Sequence, residues 1–253
     1  MLSTERVGRV LVATLSRAPV NALNDALVAR LEALLEEATA DPELSVLHLR
    51  SDQKAFCAGA DLALMRSCFA TSEGPDVMLD VVRRLQRLFE RIETAPLVTI
   101  AEIGGAAMGG GLEFALACDL RVAAAEAKLG LPEARLGLVP GAGGTQRLAR
   151  LCGPGVAKRL ILGGEIINGV EARDLGIVHW SFPLAQLAER TRAIAARFAE
   201  VPRAALAAAK QCISAQAEPA RDGYAEELAA TRRLYEHPET RRRVAAFLNR
   251  NTS

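Results

Sequence analysis

Aromatic residues make up only 4% of this 253-residue chain: one Trp, two Tyr and seven Phe. With so few rings, and no basic motif interleaved with them, the sequence offers no stacking platform for nucleic acid. Histidine is scarce too. His48, His179 and His237 lie far apart, without metal-ligand spacing, so no zinc site is expected. The five cysteines (Cys57, Cys68, Cys118, Cys152, Cys212) form no C-x-x-C pair and read as reduced, mostly buried thiols of a cytosolic protein. A formal net charge of +1 supplies no field that would select a nucleic acid or a membrane as partner. No uninterrupted apolar run approaches the ~20 residues of a membrane span. The opening MLSTERVGRV lacks a basic region followed by an apolar one, so no secretory signal is expected and the location expected is cytoplasmic.

What is present is aliphatic. Half the residues are hydrophobic, carried by Ala and Leu, and a chain of this length can bury a large core in one or two domains. Alternation predicts a strand over 7–15, a helix capped by Asn24 and running to Ala40, and a strand over 45–50. Residues 51–60 read as a loop, Asp61 as the cap of a short helix, and 71–75 as a polar break. A long amphipathic helix follows over 76–94. Strands are predicted at 97–103, 120–123 and 177–180, with an irregular Gly- and Pro-dense stretch at 128–144 and short helices at 145–151, 156–162 and 168–175. Strands alternating with helices indicate βαβ-type winding. From Pro183 onward the pattern is helical throughout, which places a candidate boundary near residue 185.

The stretch Leu97–Asp119 organises the rest. A β-branched apolar run is followed by Gly104, Gly105, Gly109, Gly110 and Gly111 and then by a helical pattern. The glycines fit neither a G-x-G-x-x-G dinucleotide fingerprint nor a phosphate loop. They leave bare backbone N–H groups at a helix start, where a developing anion is stabilised. Glu113 lies three residues past Gly110 on the same helical face, a poor position for stability and a useful one for proton transfer. Glu133 follows Pro132 at another helix start. Each glutamate alone is an ordinary N-terminal helix residue.

Three segments, KAFCAGAD (Lys54–Asp61), MGGGLE (Met108–Glu113) and LGLPEARLGLVPGAGG (Leu129–Gly144), together resemble the enoyl-CoA hydratase/isomerase family, the crotonases. The likeness runs from PVNALN (Pro19–Asn24) to AAFLNR (Ala245–Arg250). It implies an α/β fold: a spiral of repeated ββα units over residues 1–185, and an all-helical trimerisation segment over 186–253. It implies a homotrimer or a hexamer built as a dimer of trimers. The implied substrate is an acyl-CoA thioester, with no cofactor beyond the CoA it carries, no metal, no nucleic acid and no membrane. By resemblance the backbone N–H groups of Ala60 and Gly110 form the oxyanion hole. Glu113 acts on water, and Glu133 gives a proton to Cα. Lys54, Ala58, Asp61 and Leu62 match the CoA-binding stretch, while Phe247 and Arg250 match terminal residues brought from a neighbouring subunit. Arg242-Arg243 stands where relatives carry an acidic residue and a glycine.

Both glutamates being present favours reversible hydration of a trans-2-enoyl-CoA to a 3-hydroxyacyl-CoA. The alternatives are an isomerase, a hydratase dedicated to a branched or aromatic-pathway acyl-CoA, an RNA-binding second activity resting on Arg232-Arg233 and Arg241–Arg243, and a silent scaffold. Cys57, with no basic partner in its motif, reads as a small buried filler, and His179-Trp180 as packing.

Overall fold

A computed structural model describes residues 1–250, with side chains described to residue 249. The chain opens as a hairpin, β1 (Leu2–Val7) and β2 (Val10–Leu15), then forms α1 (Asp25–Ala40), β3 (Val46–Ser51), β4 (Ala55–Cys57), α2 (Leu62–Phe69) and α3 (Gly74–Thr94). The middle is β5 (Val98–Ile103), β6 (Ala106–Met108), α4 (Gly110–Ala117), β7 (Leu120–Ala124), β8 (Lys128–Gly130), a 3₁₀ turn (Pro132–Leu136) and α5 (Gly144–Leu162). The rest is β9 (Ile166–Asn168), α6 (Gly169–Asp174), β10 (Trp180–Phe182), α7 (Leu184–Ala199), α8 (Arg203–Ala215), α9 (Gly223–Glu236) and α10 (Pro238–Arg250).

Two sheets form among the described residues. The larger runs β1-β2-β3-β5-β7-β10, parallel except for the β1–β2 hairpin. The smaller runs β4-β6-β8-β9, parallel except at β9. Three of its short strands, β4, β6 and β8, each follow a long strand of the larger sheet, and a helix or 3₁₀ turn follows each pair. That is the expected ββα spiral. β5 is buried at every position, as a parallel strand covered on both faces must be.

Several expectations are corrected in detail. The run 7–15 is two strands, because Gly8 turns the chain at φ +60°. The loops 51–60 and 128–144 contain β4 and β8, and β6 sits between the glycines of the central stretch. Three residues are too few to show a period. The strand expected at 177–180 lies at 180–182, and β9 was not foreseen. The two helices expected at 145–151 and 156–162 are both present within α5, which is broken between them at Gly153, whose φ of +79° interrupts the α-helix before Pro154. The composition change near 185 does not coincide with an edge of the core, since α7 lays Leu187, Ile194 and Ala195 into the same cluster as the sheets. Beyond it, α8 packs mainly on α9, and α10 on α9.

The helix α4 is apolar apart from Glu113 and buried from Gly111 to Ala117. Phe114 on it stacks between Phe56 and Phe89, with centroids 5.5 and 5.7 Å away. Its C-terminal carbonyls are satisfied by a buried arginine. Arg121 donates to Cys118 O (2.6 Å), Ile177 O (2.7 Å) and Ala115 O (3.3 Å). A cation at a helix C-terminus also opposes the helix dipole. Arg121→Met should therefore orphan the Cys118 and Ile177 carbonyls, Ala115 O keeping the Cys118 N–H, and lower stability by about 3 kcal/mol, read by urea denaturation. An unchanged midpoint would contradict this account of α4.

Candidate active site

Three loops leave the same end of the smaller sheet. β4 and β6 are neighbouring parallel strands, Ala55 opposite Ala106 and Cys57 opposite Ala107; β6 then pairs in parallel with β8, Met108 opposite Gly130. The residues just past the three strands thus emerge side by side: Ala58–Ala60 after β4, Gly109-Gly110 after β6, Leu131–Glu133 after β8. This register brings three distant motifs together.

The first two loops touch. A Cβ built on Gly59 (φ +89°) would lie 3.0 Å from Gly110 N and 2.7 Å from Met108 O. One built on Gly110 would lie 3.8 Å from Ala60 N. Only glycine allows this approach at 59, for both backbone and space. Among the described residues neither the Ala60 nor the Gly110 N–H donates a hydrogen bond. The β4 loop is held from below by a residue the sequence reading passed over. Asn21, fully buried, donates through Nδ2 to Phe56 O (3.1 Å) and Ser51 Oγ (2.7 Å), and accepts from Arg17 N (2.7 Å). Leu23 N donates to Gly59 O at 2.8 Å.

Glu113, on the first turn of α4, is 3% exposed. Its Oε1 accepts from Gly144 N at 2.7 Å, at the start of α5. Burial pushes its carboxyl up to about 7, the Gly144 N–H opposes that rise, and the neighbouring Glu133 adds to it. Glu133, in the 3₁₀ turn, stands over Gly109, where a Cβ would meet its Oε1 at 2.7 Å. Gly109 (φ +51°, ψ −125°) thus needs glycine for its backbone and for the carboxyl above it. Glu133 Oε2 is buried and accepts no hydrogen bond among the described residues. Burial raises its carboxyl too. Two carboxyls that each resist ionisation, beside two free amides, can hold and exchange a proton next to an oxygen that gains charge.

The other expected residues are placed less centrally. Lys54 is exposed and Ala58 half-buried, its N–H donating to Val20 O. The Asp61 carboxylate is engaged by the fold: it caps α2 at Ala63 N (2.9 Å) and pairs with Arg17 at 2.7 Å. Leu62 is exposed beside it. Phe247 is exposed on α10, and the Arg250 side chain lies outside the described residues. Arg243, at the departure noted above, pairs with Glu239 (3.0 Å) within a continuous α10. Cys57 is fully buried, its Sγ donating to Asn21 O, and burial pushes the thiol up to about 12. No nucleophile is available there at neutral pH. His179 accepts from Arg121 N, and burial pushes it down to about 4.

The sequence profile of the enoyl-CoA hydratase/isomerase family matches residues 5–252. The chain belongs to this family. It is 36% identical over 253 residues to the 2,3-dehydroadipyl-CoA hydratase of Escherichia coli, covering 99% of this chain and 96% of that one. It is 42% identical over 192 residues to a probable enoyl-CoA hydratase of Bacillus subtilis, covering 76% and 73%. The crystal structure of an enoyl-CoA hydratase from Bacillus anthracis superposes with a TM-score of 0.91 at 34% identity, over 98% of this chain and 96% of that one. The fold of the family, the crotonase fold, is therefore the fold of this chain. Members act on acyl-CoA thioesters, and a loop pair with two free amides is the kind of site a thioester carbonyl requires. Gly144 was legible only as a glycine for close backbone approach, although a helix start reached by a Gly pair is a carboxylate site in its own right.

Proposed function

We propose that the protein is an enoyl-CoA hydratase, adding water reversibly across the trans-2 double bond of an enoyl-CoA. The observation that carries this reading is the pair of carboxyls, buried Glu113 and half-buried Glu133, beside the Ala60 and Gly110 amides. The thioester oxygen accepts from both amides and gains charge as water attacks Cβ. Fixed N–H dipoles stabilise that charge without reorganising. Glu113 takes the proton of the attacking water, and Glu133 supplies one to Cα, the two sharing protons as a coupled pair. Hydratase-named relatives support the assignment. The acyl-CoA head group is proposed to run past Lys54, Ala58, Asp61 and Leu62, with Phe247 and Arg250 supplied by a neighbouring copy. Residues 186–253 are proposed as the segment that joins copies into trimers or hexamers. Apolar side chains left open on its helices support that, among them Ile213 (75% exposed) and Tyr224 (83%).

The test is hydration of crotonyl-CoA by the purified protein, followed as loss of enoyl absorbance across pH. A base must be ionised to act, and burial holds Glu113 near 7. kcat/KM should therefore rise on the acid side as Glu113 ionises and fall on the alkaline side once Glu133 loses the proton it must give. No turnover on crotonyl-CoA or a longer enoyl-CoA would overturn the hydratase reading. A flat profile with normal turnover would remove Glu113 as the base.

A further inference from the structure

The bond that aims Glu113 comes from the Gly143-Gly144 turn, and that turn is built around one side chain. Arg147, on the first turn of α5, is 10% exposed at its side chain. It donates through Nη1 to Ala142 O at 3.0 Å. The same Nη1 fills the space above Gly143, where a built Cβ would come within 2.1 Å of it. Gly143 has φ +105°, so glycine is required there twice over. On its other side the guanidinium pairs with Glu93 near the end of α3, Nε and Nη2 each 2.9 Å from Oε2. Arg150 holds the second oxygen of Glu93 at 2.8 Å. A continuous chain results: Glu93 carboxylate, Arg147 guanidinium, Ala142 carbonyl, Gly144 N–H, Glu113 carboxylate.

We propose that Arg147 is a positioning residue for Glu113, locking the Ala142–Gly144 turn so that the Gly144 N–H stays on the glutamate. Planarity and fork geometry make arginine suited to holding a carbonyl and a carboxylate at once, and lysine is not equivalent. The guanidinium also opposes the upward push on Glu113, alongside the Gly144 and Ala142 N–H groups. The charged groups facing Glu113 are Glu133 from the 3₁₀ turn and Arg147 from α5. The titratable and charged groups around Arg147 are Glu93 and Glu90 of α3, Arg150 of its own helix, and Cys118, Asp119, Arg121, His179, Lys210 and Glu218 across a shared cleft of about 730 Å³. Asp119 is paired with Lys210 at 2.7 Å. Loss of the Arg147 cation and loss of the tether act in the same direction, each raising the pH at which Glu113 ionises.

The proposal rests on the hydratase reading only for its kinetic measurement. Arg147→Met and Arg147→Lys are compared with the wild type in two ways. Carbon-13 NMR of protein labelled at the glutamate carboxyls gives the Glu113 titration, its resonance assigned by its loss in Glu113→Gln. Crotonyl-CoA hydration gives kcat, KM and the acid limb. In Arg147→Met the Glu113 midpoint and the acid limb should both rise by about half a pH unit or more. Its kcat should fall about tenfold with KM within about twofold. Arg147→Lys should lie between. A folded Arg147→Met with the wild-type Glu113 midpoint overturns the proposal, whatever its kcat. If Arg147→Met does not fold, Arg147→Lys decides, and a wild-type midpoint there overturns it equally. If the wild type hydrates no enoyl-CoA while the midpoint still moves, the tether stands and the hydratase reading fails.

Discussion

Glu113→Gln is expected to lower kcat for enoyl-CoA hydration by about 10³, with KM changed little, because a general base is worth roughly 10²–10⁴ and Gln cannot accept the proton. The amide keeps a carbonyl oxygen for the Gly144 N–H, so the turn should hold. The same substitution should stabilise the protein at high pH. Burial raises the Glu113 pKa from its ordinary value of 4.5 to about 7. The folded state therefore binds its proton more tightly than the unfolded state. Below pH 4.5 the group is neutral in both states and costs nothing. As pH rises from 4.5 to about 7 the unfolded chain ionises this group while the folded one still holds its proton, so stability falls and then levels off above 7, by about 3 kcal/mol at most. Glu113→Gln should thus melt higher than the wild type at pH 8 and together with it at pH 4. Equal melting at both, with activity lost, would mean that the carboxyl is not held in a raised state. Full activity in Glu113→Gln would remove its catalytic role.

Gly110→Pro is expected to lower kcat by about 10²–10³ while the protein stays folded. Proline at the first position of a helix is well tolerated, since the N–H it removes has no partner within the helix. At Gly110 that N–H is one of the two free amides facing the proposed thioester oxygen. A Cβ built at Gly110 meets Leu23 Cδ1 at 3.3 Å, which a small side-chain shift relieves, and Gly59 Cα at 3.5 Å, an ordinary contact. The substitution therefore deletes a donor without deleting a side chain. The measurement is kcat, with circular dichroism and melting temperature to establish folding. A folded Gly110→Pro with wild-type turnover would show that this amide does not bear the developing charge.

The paired glutamates and the glycine triplet were legible in the amino-acid order because acid/base chemistry and bare backbone each demand particular residue types. So were the caps at Asn24 and Asp61, which the structure places where a short side-chain acceptor was expected, at Leu27 N and Ala63 N. The buried pair His48 and Glu102 was not. They meet at 3.0 Å, with neither side chain appreciably exposed, although 54 residues separate them. Nothing local marks such a pair, since each sits alone in an apolar strand. The same holds for Asn21 beneath the β4 loop and for Arg121 behind α4.

The order of residues by itself determined the long elements, whose periodicity is local, and the chemical inventory of the site. It also carried the family likeness, because that likeness is written in contiguous motifs. Only the tertiary structure decided that β4, β6 and β8 lie side by side and deliver those motifs to one place. Strands of three residues have no period to read, and their pairing is made by backbone hydrogen bonds between segments far apart in the chain. Burial, which sets the protonation of Glu113 and Glu133, is likewise a property of everything packed around them and of no single stretch.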